Sequence, residues 1–255
     1  MPRCIECNTV VGRVVQPETE SVEKCPTCGC CCDKYYEFAR CQQWISVILL
    51  ERRAWLHVIF NKRELGPVLL LTALLSCPLE AYAVRTASVY AALRLDGRTP
   101  RLRELANMSA VENFRLVQNL HPDMSSVMLY SATWPTLLLY ACAEYLLIAS
   151  VVVSFGIFVR LAGGAGAWRD AAVVWATCVN LVHIAKLGLV VFLVWRIPMF
   201  LAPLVDIVAC LWALRGFSVL TTRHSSFVGV IGTFLCISTR IAFRHITQWG
   251  PQLVF

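Results

Sequence analysis

From residue 66 onward, long apolar stretches alternate with short charged interruptions. Residues 66–84, 134–159, 171–195, 197–214 and 226–243 each approach the roughly 20 apolar residues that an α-helix needs to cross bilayer hydrocarbon. The stretch 134–159 is the clearest, with Pro135 near its start and Glu144 inside it, and 171–195 is flanked by Arg169 and Arg196. Arg240 makes 226–243 a weaker span. Pro67 suits a helix start, but Pro78 and Glu80 interrupt 66–84, which either crosses with a kink or dips in and returns. The pattern predicts four transmembrane helices, or five if 66–84 crosses.

Ahead of these spans, Trp44, Ile45, Ile48, Leu49, Trp55, Leu56, Ile59 and Phe60 recur at helical spacing, and Glu51, Arg52 and Arg53 interrupt the run before it is long enough to span. An amphipathic helix lying along the membrane face fits this pattern, its two tryptophans at the interface. A soluble helix packed on the preceding segment is the alternative. Between 85 and 126 the chain is more polar. There Leu102, Leu105, Ala106, Leu116, Val117 and Leu120 share one helical face that suits a surface helix, a partner-binding loop or a cover over the bundle.

Composition supports the membrane assignment. The 255 residues are 58% hydrophobic and only 15% charged, with a mean hydropathy of +0.62, too apolar for an ordinary soluble domain of this length. The net charge of +7 is spread along the chain, and many arginines flank apolar stretches, where they meet lipid headgroups. No basic stripe with interleaved aromatics stands clear of the spans, so nucleic acid is not an expected partner. Residues 1–43 are polar and cysteine-rich, unlike a cleavable signal. Targeting is therefore expected from a later apolar segment, with insertion in the endoplasmic reticulum and the amino-terminal head left on the cytosolic side.

Eight of the thirteen cysteines lie in the first forty-one residues. Cys4 and Cys7 form one Cys-x-x-Cys knuckle and Cys25 and Cys28 a second, seventeen residues later, which is the spacing of a structural zinc ribbon. Four thiolates on one Zn²⁺ order a segment too short to bury a core, since binding is worth roughly 10–16 kcal/mol in small zinc peptides. Disulfide pairing would require an oxidising compartment. Cys28 and Cys31 also form a legal knuckle, so Cys30, Cys31 and Cys32 stand as substitute ligands, acylation sites or neither.

Asp33-Lys34-Tyr35-Tyr36-Glu37 follows Cys28 after four residues, and an apolar helix ending in His57-Val58-Ile59-Phe60-Asn61 comes soon afterwards. Together with the two knuckles, this order resembles the Arv family of endoplasmic-reticulum membrane proteins associated with sterol homeostasis. Asp33, Lys34, Tyr35, Glu37, Ala54, His57, Phe60 and Asn61 fall where that family's pattern expects them. Ala39 and Ser46 stand where the family carries aspartates, and Glu51-Arg52-Arg53 replaces its Lys-Pro-Gln break, so the helix is expected to run on without a kink. The resemblance covers the first quarter of the chain. It implies a head of residues 1–61 carrying zinc-ribbon and interfacial-helix elements, followed by a polytopic membrane domain at 62–255. Asp33, Lys34 and Tyr35 read as a helix-entry and packing element.

Ionisable groups inside a membrane are costly and mark function or pairing. Asn180, His183 and Lys186 recur every three residues on one side of a helix, and Asp206 lies on the next span. A Lys186–Asp206 pair or a polar cavity for a lipid hydroxyl or headgroup follows from this spacing, beside the plainer reading of interhelical hydrogen bonds. Spacing supplies no partner for Glu80 or Glu144. No catalytic motif appears: there is no Gly-x-Ser-x-Gly elbow, phosphate-binding Gly-Lys-Ser/Thr loop or His-Glu-x-x-His, and Gly163, Gly164 and Gly166 read as a turn. The expectation is a non-enzymatic protein that handles membrane lipids, as the resemblance implies sterols, with linked effects on sphingolipids and delivery of glycosylphosphatidylinositol intermediates. A membrane-anchored adaptor whose zinc head binds a protein partner is the alternative.

Overall fold

The computed structural model describes residues 1–16, 21–95, 133–162, 168–190, 203–221, 225–247 and 249. The amphipathic face read between 102 and 120 lies outside them, as do Gly163, Gly164 and Gly166. Contacts group the chain into two compact units. The first joins Met1–Thr72 with Val152–Val182 and Cys210–Phe234; the second joins Ala73–Val151 with His183–Ala209 and Leu235–Phe255.

The protein is mainly helical, as expected. After the amino-terminal head come α1 (Arg40–Ile48), α2 (Arg52–Leu56), α3 (Gly66–Leu95), α4 (Trp134–Ala162), α5 (Trp168–Ile184), α6 (Pro203–Leu220) and α7 (Ser225–Thr247). Among the described residues three segments are long and apolar enough to cross a membrane, Trp134–Leu161, Trp168–Gly188 and Ser226–Thr247; a fourth arises if the bent pair Arg52–Asn61 and Gly66–Tyr82 is one broken span. The expected span at 197–214 begins outside the described residues. Helix α3 runs through Pro78 without returning, and its thirty residues correspond to about 45 Å at 1.5 Å per residue.

The 44–60 stretch departs from expectation. A single helix does not continue through it, because α1 is closed just past its end by Leu50, which takes a left-handed φ of 62°. The Leu50 N–H donates to the Val47 carbonyl and the Glu51 N–H to the Ser46 carbonyl, the paired closure of a helix end for which glycine is the usual residue. Two long side chains hold this corner. Trp55 Nε1 donates to the Val47 carbonyl at 3.0 Å, and Arg215 Nε donates to the Leu50 carbonyl at 2.8 Å.

The break separates two kinds of apolar surface. On α1, Trp44, Ile45, Ile48 and Leu49 are exposed and share one face, while Gln43, Ser46 and Val47 point inward. Beyond the corner, Trp55, Leu56, Ile59 and Phe60 are buried. Trp55 meets the edge of the Trp212 ring on α6 at 5.6 Å. Gly216 permits this approach, since a Cβ there would lie 2.7 Å from Cys178 Sγ and 2.8 Å from the Trp55 ring. The exposed interfacial face is therefore confined to α1, and the second half of the stretch is core.

Candidate functional site

The head is built as a repeat with an offset of 21 residues. In the first knuckle the Cys4 N–H donates to the Thr9 carbonyl, the Asn8 N–H to the Cys4 carbonyl and the Val11 N–H to the Pro2 carbonyl. In the second, Cys25 N–H donates to Cys30, Gly29 N–H to Cys25 and Cys32 N–H to Glu23. Asn8 and Gly29 occupy the equivalent left-handed positions, with φ of 60° and 72°, where the chain must turn back after the second cysteine of each pair. The Ile5 N–H donates to the Cys32 carbonyl and the Glu23 N–H to the Val14 carbonyl, stitching the two halves together.

This geometry aims four sulfurs at one point. Cys4, Cys7, Cys25 and Cys28 place their Sγ atoms within 4.8 Å of one another, with Cys4–Cys28 at 3.8 Å and Cys7–Cys25 at 3.6 Å. A tetrahedral ion with metal–sulfur bonds of 2.3 Å requires sulfurs about 3.8 Å apart. The donor set thus fits a four-coordinate metal. Electrostatics is uneven across it: the backbone N–H of Cys28 helps lower Cys25 to about 6, whereas burial raises Cys4. Ligand cysteines must bind as thiolates, a form that hydrogen bonds favour at Cys25 and, led by the Thr9 hydroxyl, at Cys7.

The three clustered cysteines left open by the sequence are now distinguished. Cys30 and Cys31 are exposed. Cys32 is buried with Cys4, Val11, Val14 and Cys25 in the small core of the head. Burial first, then the neighbouring Cys4 and Cys25, pushes Cys32 up to about 11, which keeps it a neutral thiol used for packing.

A second set of residues clasps the head to the apolar helix that follows it. After α2 the helix widens into a π-turn over His57–Asn61, closed by the Lys62 N–H on the His57 carbonyl at 3.0 Å. His57 and Asn61 both reach Asp33 from this turn: His57 Nδ1 lies 2.6 Å from Asp33 Oδ2, and Asn61 Nδ2 donates to the same oxygen at 2.6 Å. Asp33 Oδ1 accepts the Tyr35 N–H at 3.0 Å. Asn61 also reads the backbone of Arg3, accepting its N–H at 2.8 Å and donating to its carbonyl at 2.9 Å. The Arg3 guanidinium sits 4.2 Å over the Phe60 ring. Of the remaining motif residues, Tyr35 is buried, Lys34 half-buried and Glu37 exposed.

Arg3 precedes Cys4 of the four-sulfur cluster and Asp33 follows the core thiol Cys32, so the clasp is fastened to both halves of the head. Asp33 and His57 are fully buried, and Nε2 of His57 has no hydrogen-bond partner among the described residues. The carboxylate therefore fixes the imidazole proton on Nδ1. This is the chemistry of a positioning contact.

The second unit holds a different polar constellation. Lys186 pairs with Asp206 as the spacing suggested, and also with Glu80 at 3.3 Å. Glu80 and Glu144, for which spacing supplied no partner, are paired by two arginines one turn apart on α7. Arg244 reaches Glu80 at 2.7 Å and Glu144 at 3.0 Å. Arg240 reaches Glu144 at 2.9 Å and Asp206 at 2.8 Å, and also contacts Glu80. Trp249 Nε1 donates to Glu144 at 2.8 Å. The His183 ring packs against Tyr145 at 4.7 Å. Asn180 is buried in the first unit's share of α5, so the four-residue polar set read from the sequence is divided between the two units.

A family model described as the Arv1-like family matches residues 3–216. This extends far beyond the first quarter that carries the recognisable motifs. No curated protein and no solved structure matches the chain.

Proposed function

Because the chain belongs to the Arv1-like family, we propose that this membrane protein acts in sterol homeostasis by supporting sterol movement out of the endoplasmic reticulum membrane, without catalysing a reaction. Effects on sphingolipid balance and on delivery of glycosylphosphatidylinositol intermediates follow from that role. The observation that carries the reading is the exposed face of Trp44, Ile45, Ile48 and Leu49 on α1. Gln43 tethers that helix by donating to the Tyr35 and Phe38 carbonyls at 2.6 and 2.9 Å.

In this reading the four cysteines hold Zn²⁺, whose preference for tetrahedral thiolate suits the donor set. A closed four-sulfur site has no position for an activated water, so its role is structural. The metal head and the Asp33–His57–Asn61 clasp keep α1 at a fixed angle in the cytosolic leaflet. The apolar face enters the headgroup boundary, where tryptophan favours the interface, and the spans supply a path for a lipid to leave the bilayer.

A second reading, that of a zinc adaptor recruiting a protein, is supported by a groove of about 700 Å³ in the head, lined by Arg13, Val14, Val22, Tyr36, Glu37 and Phe60 among others. A photoactivatable sterol incorporated into membranes containing the full chain separates the two. Labelling of the spans, reduced when Trp44→Glu and Ile48→Glu remove the apolar face, supports sterol handling. Absence of labelling, together with head-dependent capture of a protein, supports the adaptor.

A further inference from the structure

The six-charge cluster of the second unit is better suited to exchange than a lone ion pair. It contains three carboxylates, Glu80, Glu144 and Asp206, and three cations, Lys186, Arg240 and Arg244, and is neutral by its own composition. A single buried pair cannot open in a medium of low dielectric without leaving isolated charges. This cluster is redundant. Arg240 contacts all three carboxylates, and each of them keeps another cation if Arg240 turns away. Glu80 retains Lys186 and Arg244, Glu144 retains Arg244, and Asp206 retains Lys186. Arg240 is also the most accessible of the six, its side chain 15% exposed against 2–9% for the others.

Turning Arg240 outward leaves the other five groups with one excess negative charge and carries the guanidinium's positive charge to their edge. A ligand that satisfies both must carry an anion and a cation a few ångströms apart. A neutral hydroxyl, such as a sterol presents, compensates neither. An anionic headgroup answers the arginine and leaves the carboxylates in excess.

We propose that Arg240 and the Glu80–Asp206 side of the cluster form a binding site for the zwitterionic head of an amine-bearing glycerophospholipid. The guanidinium takes the phosphate through its planar fork of N–H donors, and the carboxylates that Arg240 vacates take the ammonium. Glu144, Lys186 and Arg240 lie within segments long and apolar enough to span a bilayer, so a bilayer lipid is the occupant. The site rests on the reading that this chain handles membrane lipids and adds to the sterol a second, charged class of lipid.

The test uses the full chain in vesicles of an uncharged digalactosyl diacylglycerol doped with phosphatidylethanolamine or phosphatidylglycerol, counting lipid retained by mass analysis after detergent extraction. The wild type should retain phosphatidylethanolamine about tenfold over phosphatidylglycerol, as expected where one charge-assisted contact is lost. Asp206→Asn with Arg240→Gln removes one acid and one base together. That double variant should lose the preference while melting within a few degrees of the wild type, because the remaining four groups stay paired and neutral. Equal retention of both lipids by the wild type, an unchanged preference in the double variant, or failure of that variant to fold would each overturn the assignment; the last would make the cluster a structural lock. Displacement by soluble glycerophosphorylethanolamine would assign the site to that ester in place of the bilayer lipid. Sterol transfer measured on the same vesicles is independent: sterol movement without phosphatidylethanolamine retention sinks this site alone, and retention without sterol movement sinks the sterol reading alone.

Discussion

The metal head and the charge cluster both withdraw polar groups from water, and they solve the problem in opposite ways. The head gathers four like groups, thiols that repel one another once ionised, in an arrangement that suits one shared cation. The cluster gathers unlike groups and neutralises itself from three carboxylates and three cations. The sulfurs of the head are placed to share one ion supplied from outside, whereas each carboxylate of the cluster is shared between at least two of its own cations. Removing one member has different consequences in the two places.

The largest effect is expected in the head. Cys4→Ser or Cys25→Ser should abolish metal binding and unfold residues that have only a small apolar core, because metal binding is worth roughly 10–16 kcal/mol in comparable peptides. Cys30→Ser should change little, since Cys30 is exposed and outside the sulfur cluster. Zinc content per chain and protease sensitivity of the head measure both. Equal loss from Cys25→Ser and Cys30→Ser would contradict the ligand set.

A smaller effect is expected from breaking the cluster. Arg244 is 2% exposed and bidentate on Glu144, so Arg244→Gln leaves a buried carboxylate short of charge and should cost roughly 3–5 kcal/mol. Adding Glu144→Gln restores neutrality and should recover most of that loss. The fall and recovery of the melting temperature in detergent provide the measurement, and strictly additive losses would show that the two groups act independently.

The same contrast explains what the sequence made legible. The four clustered cysteines lie within 25 residues and repeat with fixed spacing, so the candidate site is local and its chemistry is written in one residue type. Asp33, His57 and Asn61 could be picked out through the family pattern, but the grip of Asn61 on the Arg3 backbone required a fold that returns residue 61 to residue 3. The cluster had no such signal: Arg244 meets Glu144 across 100 positions and Glu80 across 164. Lys186 and Asp206 were readable as a pair because they stand in consecutive apolar stretches of the sequence. The break at Leu50 was hidden because leucine is not a residue that advertises a left-handed helix end, and the long-range contact from Arg215 that fixes it is equally silent. Span positions were the easiest to read, since length and apolarity alone define them.

The smallest effect sharpens the comparison from the exposed side of the head. Tyr35 Oη donates to Glu51 Oε2 at 2.5 Å, and this hydrogen bond is the first cause that lowers the Glu51 carboxyl below its ordinary 4.5. A carboxyl depressed in the folded state contributes stability that is present above its unfolded value and is lost as pH falls through the folded one. Glu51 is exposed, so water and salt screen the pair and it should contribute only a few tenths of a kcal/mol. The difference in melting temperature between wild type and Glu51→Gln should therefore be small at neutral pH and vanish below the ordinary carboxyl range, and it should shrink in high salt. Loss of thiolate at the metal site affects both proteins equally and cancels in that difference. A gap that persists unchanged into acid would mean that Glu51 secures the corner at Leu50 by packing, with its charge playing no part.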